Sequence, residues 1–234
     1  MPSPACRGSP GDLMLATSAS KPFDRPGWIF ELNYEGFRVL AIRDRNGARL
    51  CSRRGTDLSA RFPEIMASLI ELSFSAVAVS GSSPWVHNLS TGATRLGADA
   101  VPDLVLDGEL VVPDDTGKPS LERLRRRLLL KRRVLVEHAA RHEPAALFAF
   151  DILCLRGRDL RTLALVKRKI ILRIALEASK RIQAVQHVEE GQRLYDAACG
   201  LGVEGIVAKR GDAPYKAGRS PDWVKIRTPM TSRK

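Results

Sequence analysis

The sequence predicts an α+β domain with largely antiparallel sheets. Three observations predict it. Strand-like and helix-like stretches are intermixed rather than alternating as regular β-α-β units. Short apolar strands recur in hairpins, the clearest around Asn46-Gly47. No stretch of the chain repeats another.

The elements follow in order. Residues 1–20, rich in Pro, Gly, Ser and Ala, read as a loose lead-in before a domain over 21–228 and a tail at 229–234. "WIFEL" from Trp28 reads as a strand. "FRVLAIRDRNGARLCSR" reads as a hairpin with a type I′ turn at Asn46-Gly47. "DLSARFPEIMASLIEL" has helical spacing behind a capping Asp57 or Ser59. Residues 73–103 have no period and many turn formers, which predicts an irregular insertion. "LVLDGELVV" reads as a strand broken at Asp107-Gly108, and "DDTGKPS" as a turn. "LERLRRRLLLKRRVLVEHAARH" reads as one basic helix with Leu121, Leu124, Leu128 and Leu135 near one face. A strand "LFAFDILCL", a helix around "LVKRKIILRIALEAS" and a helix ending at Gly200 come next. The closing strands are "GIVAK" and "WVKIR".

The composition narrows the function classes. The 234 residues are 44% hydrophobic, enough for a sizeable core, and carry a net charge of +12. That balance favours a polyanionic partner, nucleic acid first. Cys6, Cys51, Cys154 and Cys199 are scattered without C-x-x-C spacing, which argues against zinc and against a disulfide scaffold. They read as buried, reduced thiols of a cytoplasmic protein. His138 and His142 have no third ligand nearby in the sequence and read as a solvated helix face. There is neither a secretory signal pattern nor an apolar run of membrane-spanning length, so no membrane partner is expected.

Charged residues interrupt the apolar strands: Glu31, Arg38, Arg53, Asp107, Glu109, Asp151, Glu204, Lys209, Lys225 and Arg227. Such charges are costly to bury unless paired or bound to a ligand. Carboxylates suit a hard cation such as Mg²⁺, and lysines and arginines suit phosphates. Together they point to a metal–phosphate site.

The order and spacing of these residues resemble the adenylation (nucleotidyltransferase) domain of ATP-dependent DNA ligases, most closely that of bacterial end-joining ligases. The family's K-x-D-G-x-R motif reads Asn33-Tyr34-Glu35-Gly36-Phe37-Arg38 here, and S-R-x-G reads Ser52-Arg53-Arg54-Gly55. D-G-E is Asp107-Gly108-Glu109, and the aromatic-Asp motif is Phe150-Asp151. E-G-[IV]-V-x-K is intact from Glu204 to Lys209, and W-x-K-x-[KR] is Trp223, Lys225 and Arg227. Each motif alone is weak; their order makes the signal.

The resemblance implies ATP or AMP and Mg²⁺ as cofactors and nicked duplex DNA as partner, for strand joining in repair or recombination. It implies that Glu31 and a stacked Phe150 hold adenine. Arg38, Arg53 and Glu109 would serve the ribose and the metal–phosphate region. Glu204, with Glu109, would bind the metal. Lys209 and Lys225 would contact the nucleotide, Lys225 at the α-phosphate. Arg125, Arg126, Arg127, Lys131, Arg132 and Arg133 are candidate DNA contacts on the basic helix. The family's fold normally continues into an OB-fold domain. The expectation here is that this domain is absent: either a partner protein supplies it, or the chain is a fragment or a decaying copy.

One departure decides the functional expectation. Asn33 stands where the family has its nucleophilic lysine. A carboxamide nitrogen has its lone pair delocalised into the carbonyl, so no tuning of its surroundings makes it an amine nucleophile. Lys21 lies outside the turn, and Lys209 and Lys225 have other duties in the resemblance. Self-adenylation is therefore expected to be lost, while joining of an already adenylated nick needs no such lysine. The competing readings are a non-catalytic nucleotide- or DNA-binding protein, and RNA ligation or capping on the same fold.

Overall fold

The computed structural model describes residues 8–72 and 103–229. The expected insertion at 73–103 lies outside the described residues except for Asp103. Among the described residues, two sheets make up the architecture. The first has the order β1-β10-β9-β2, built from β1 (Met14–Ala19), β2 (Trp28–Leu32), β9 (Gly205–Arg210) and β10 (Gly218–Arg227). The second has the order β4-β3-β5-β6-β7, with β8 beside β6. Its strands are β3 (Phe37–Asp44), β4 (Gly47–Ser52), β5 (Leu104–Val111), β6 (Ala146–Leu155), β7 (Arg158–Asp159) and β8 (Ile182–Ala184). Among the described residues only β1 on β10 and β8 on β6 pair in parallel; the other ladders are antiparallel. The helices are α1 (Pro63–Glu71), α2 (Leu121–Leu129), α3 (Arg133–His142), α4 (Leu165–Leu176) and α5 (Gly191–Leu201).

Strand β3 shows why two sheets form. Val39 and Ala41 pack with Leu106, Leu147, Ile65 and Leu172 in the core beneath the helices. Leu40 and Ile42, on the opposite face, pack with Met14, Val105, Tyr215 and Trp223. A strand buried on both faces must be covered by helices on one side and by another layer on the other. The first sheet, with α5 packed behind it through Phe30, Ala198 and Ile206, supplies that layer.

Several expectations need correction. The lead-in is not loose throughout: Met14–Ala19 forms β1, because β10 offers an unpaired edge and Leu13 and Met14 have an apolar layer to enter. The hairpin loop is Arg45-Asn46, since Asp44 already pairs with Gly47. Asn46 does not take the positive φ that a type I′ turn requires; Gly47 does, at +117°. The Asp44 carboxylate accepts from the Asn46 amide and tightens this turn. Helix α1 begins at Pro63, behind a short 3-10 turn, and neither Asp57 nor Ser59 caps it. Ser59 Oγ instead accepts from Leu50 N. Asp107-Gly108 does not break β5; it makes a bulge against β6 within one continuous strand. Helix α5 stops at Gly202 in the left-handed conformation, φ 66°, rather than at Gly200. Cys154 is disulfide-bonded, while Cys51 and Cys199 are free and not buried, so the reading of four buried thiols does not hold.

The basic helix is two helices. Leu130 leaves helical conformation, and α3 doubles back so that Glu143 meets α2. Arg126 pairs with the Glu143 carboxylate at 2.7 Å, and Arg127 donates to the Glu143 carbonyl. Arg127 is 2% exposed and its Nη2 donates to both carboxylate oxygens of Glu64 of α1, so it is withdrawn from the candidate DNA contacts. Arg133 pairs with Glu137 at the surface. Arg125, Lys131 and Arg132 are exposed. Leu135 is exposed, whereas Leu121, Leu124 and Leu128 face the core.

Removing Arg127 would leave Glu64 as a buried, uncompensated carboxylate. Arg127→Ala is expected to destabilise the protein by about 3–5 kcal/mol in chemical denaturation. Arg125→Ala should change stability by less than about 0.5 kcal/mol.

Candidate active site

The chain crosses from the first sheet to the second between β2 and β3, and this crossing forms the floor of a cleft of about 1410 Å³. Glu31, Asn33, Arg38, Arg53, Glu109, Phe150, Glu204, Lys209 and Lys225 all line it. The six candidate DNA contacts of α2 and α3 do not. The crossing must be tight. A Cβ on Gly36 would lie 2.3 Å from the Leu110 carbonyl oxygen, so only glycine lets the turn run against β5.

At the closed end, Glu31 alternates with the core residue Phe30 along β2 and therefore faces the cleft. Its Oε2 lies 2.6 Å from Lys209 Nζ and its Oε1 2.7 Å from Lys169 Nζ. Burial pushes the Glu31 carboxyl up, and the two ammonium groups outweigh that and hold it below its ordinary value. Lys209 is pulled down by burial, against the opposing pull of Glu31. Its ammonium sits over the rings of Phe150 and Trp223, 4.4 and 4.3 Å from their centroids. Those two rings meet edge to face. Trp223 Nε1 is buried with no hydrogen-bond partner.

At the turn, the Asn33 backbone amide donates to the Gly205 carbonyl, tying the crossing to β9. The Asn33 side-chain amide donates to Glu204 Oε2 at 2.7 Å. Lys225 donates to Glu204 Oε1 at 2.8 Å, and Arg227 stands 3.7 Å from that oxygen. Next along the chain, Tyr34 stacks on Phe148 with centroids 4.3 Å apart.

Arg38 makes a bidentate pair with the fully buried Asp107 and also donates to the Met14 carbonyl. Burial pulls the guanidinium toward losing its proton, and Asp107 more than offsets this. Asp107 accepts a further hydrogen bond from the Tyr215 hydroxyl at 2.6 Å. Asp151 points away from the cleft into a bidentate pair with Arg168, both side chains fully buried. That pair anchors β6 to α4 and leaves Phe150, on the other face, toward the cleft. Arg53 is exposed at the rim, its backbone amide bound to the Arg38 carbonyl.

Lys169 and Tyr215 were not singled out by sequence reasoning. The only sequence signal for Lys169 is a run of cations, Lys167, Arg168 and Lys169, beside the apolar residues of the helix. Arg168 and Lys169 are buried and each meets a carboxylate. No signal marks Tyr215.

Burial raises the Glu109 carboxyl to about 8, against the pull of Arg38 and Lys225 and with the help of Asp107 and Glu204. Its ordinary value is 4.5. Between those values the folded state binds the extra proton, so this group costs stability as pH rises through that window. Glu109→Gln is expected to flatten the loss of thermal stability between pH 5 and about pH 8 in metal-free buffer. An unchanged slope would contradict the assignment.

The geometry can be set beside known proteins. A family model described as the ATP dependent DNA ligase domain matches residues 86–227, more than half of the chain. The multifunctional non-homologous end joining protein LigD of Pseudomonas aeruginosa is 29% identical over 217 residues, covering 91% of this chain and 21% of that protein. The bifunctional LigD of Bacillus subtilis is 28% identical, covering 86% of this chain and 31% of that protein. The chain thus spans a third or less of these relatives. A mycobacterial DNA ligase D solved with ATP and MES superposes with a TM-score of 0.66 at 27% identity, covering 92% of this chain and 60% of that one. The α+β architecture with largely antiparallel sheets is that of a ligase nucleotidyltransferase domain, and the chain belongs to the ATP-dependent DNA ligase domain family.

Proposed function

We propose that the cleft binds ATP or AMP at a DNA nick, that the chain cannot adenylate itself, and that its remaining groups serve the joining of an already adenylated 5′ end. One observation carries this reading. Asn33, at the tip of the crossing between the sheets, presents an amide to Glu204 in a cleft otherwise lined with nucleotide-compatible groups. An amide there can hydrogen-bond a phosphate oxygen but cannot attack phosphorus.

The remaining groups have assignable tasks. Glu31 accepts from the adenine amino group, and Phe150 offers a ring face. Arg38 and Glu109 flank the sugar, while Lys225, Arg53 and Arg227 face the phosphates. Lys225 must leave Glu204 to reach a phosphate, and the charge of the ligand compensates that exchange. Among the described residues no group of three or more His, Cys, Asp or Glu could hold a metal ion. Glu109 and Glu204 nevertheless fit Mg²⁺, which commonly takes one or two carboxylates together with phosphate oxygens. Bound there, Mg²⁺ would neutralise charge developing on the phosphate. In the joining step the 3′-hydroxyl oxygen bonds to the 5′ phosphorus and gives its proton to water, while the bond to AMP breaks and AMP leaves. Arg125, Lys131 and Arg132 are exposed and retained as DNA phosphate contacts, with Arg126 and Arg133, which are exposed too but paired with Glu143 and Glu137. Among the described residues no helix is long and apolar enough to cross a membrane.

Incubation with ATP and Mg²⁺ followed by intact-mass measurement is expected to show no AMP adduct on the wild-type chain. Asn33→Lys combined with Glu35→Asp is expected to gain one. An adduct on the wild-type chain would overturn the reading. Sealing of a pre-adenylated nick by the wild-type chain should be abolished by Lys225→Ala. Absence of any sealing, with ATP still bound, favours a binding protein over a partial enzyme.

A further inference from the structure

Glu31 is 2% exposed and meets two ammonium groups, Lys209 on one carboxylate oxygen and Lys169 on the other. One cation neutralises one carboxylate, and a second adds the cost of burying another charge. The two lysines are placed differently. Lys209 lines the cleft, against the faces of Phe150 and Trp223. Lys169 reaches from α4 behind the cleft wall and is not among the lining residues. Its ammonium donates to the Val185 carbonyl at 2.6 Å and stands in ion-pair range of Glu31 Oε1, an oxygen with no hydrogen-bond partner, and Val185 does line the cleft. Lys169 thus holds two acceptor-bearing residues of the wall while staying out of the binding space.

We propose that Lys169 is a positioning residue that sets the base preference of the cleft by holding Glu31 as a fixed hydrogen-bond acceptor beside the donor Lys209. This rests on the nucleotide-binding reading above. A carboxylate only accepts and an ammonium only donates. Side by side they match a purine that presents an amino group next to an unprotonated ring nitrogen, as adenine does. Guanine presents the reverse, a carbonyl next to a ring N–H. When Lys209 turns toward a ring nitrogen, Glu31 loses that counter-charge. Lys169 remains, so the buried carboxylate stays ionised and aimed. Without it, Glu31 would take up a proton or swing away, and a protonated carboxyl can donate to a carbonyl. His187 and Tyr34 are the other titratable groups whose charge is coupled to Glu31. Neither occupies a Glu31 oxygen among the ion pairs of the site.

The test is equilibrium binding of ATP, GTP and tripolyphosphate to the full chain by calorimetry in Mg²⁺. Lys169→Met is expected to narrow the ATP-to-GTP preference about tenfold or more. Tripolyphosphate affinity should be unchanged, because the variant alters only the base end. Lys169→Arg, which keeps the charge, should restore the preference. Glu31→Gln should narrow it too, and adding Lys169→Met to Glu31→Gln should narrow it no further, since Lys169 acts through Glu31. An unchanged preference in Lys169→Met overturns the proposal, as does equal loss of all three ligands or additive effects in the double variant. If Lys169→Met alone does not fold, the comparison of Glu31→Gln with the double variant decides, because no carboxylate charge remains to be compensated. A wild-type chain that binds ATP and GTP equally overturns this proposal alone. A wild-type chain that binds neither overturns the nucleotide reading as well.

Discussion

The Asp107 carboxylate is the junction on which the cleft depends. It lies in β5, is fully buried, and accepts from Arg38 of β3 and from the Tyr215 hydroxyl. Arg38 reaches on to the Met14 carbonyl of β1, and Tyr215 accepts from the Met14 amide. One ion pair therefore connects strands of both sheets. A buried charge in this position is tolerable only while every partner stays in place, so the network fixes how far apart the cleft walls stand.

The same logic recurs elsewhere in the interior. Asp151 with Arg168, Glu64 with Arg127, and Glu31 with Lys169 and Lys209 are buried acid–base sets joining a strand or helix to a distant neighbour. Two of these anchor helices α4 and α1–α2 and have no place in the cleft. The third stands at the closed end of the cleft, where two ammonium groups meet one carboxylate. Burying a charge in a wall costs the same whether it is structural or functional. What separates the two is whether a cleft-facing atom remains, as it does for Glu31 and Lys209 but not for Asp151.

The Asn33 side chain completes the charge pattern differently from an amine. An ammonium in its place would face Glu204 together with Lys225 and Arg227, three cations around one carboxylate. The neutral amide donates one hydrogen bond to Glu204 and adds no charge. The crossing is otherwise intact: Gly36 packs against the β5 backbone, and the Asn33 amide is bound to Gly205.

By itself the sequence determined the fold class and the family, and it singled out several of the charged residues that line the cleft. Strand periodicity and turn residues are local, and the motif charges stand at strand positions where only a ligand or a partner explains them. Only the tertiary structure decided which of those charges are paired within the protein. It placed Arg127 against Glu64 rather than at the surface, split the basic helix so that Glu143 could reach it, and recruited Met14–Ala19 into a sheet. It also brought Lys169 to Glu31 across more than a hundred residues of chain. Local patterns report which residues share a face. Which opposite charge a buried residue meets depends on where distant segments pack, and no short-range spacing encodes that.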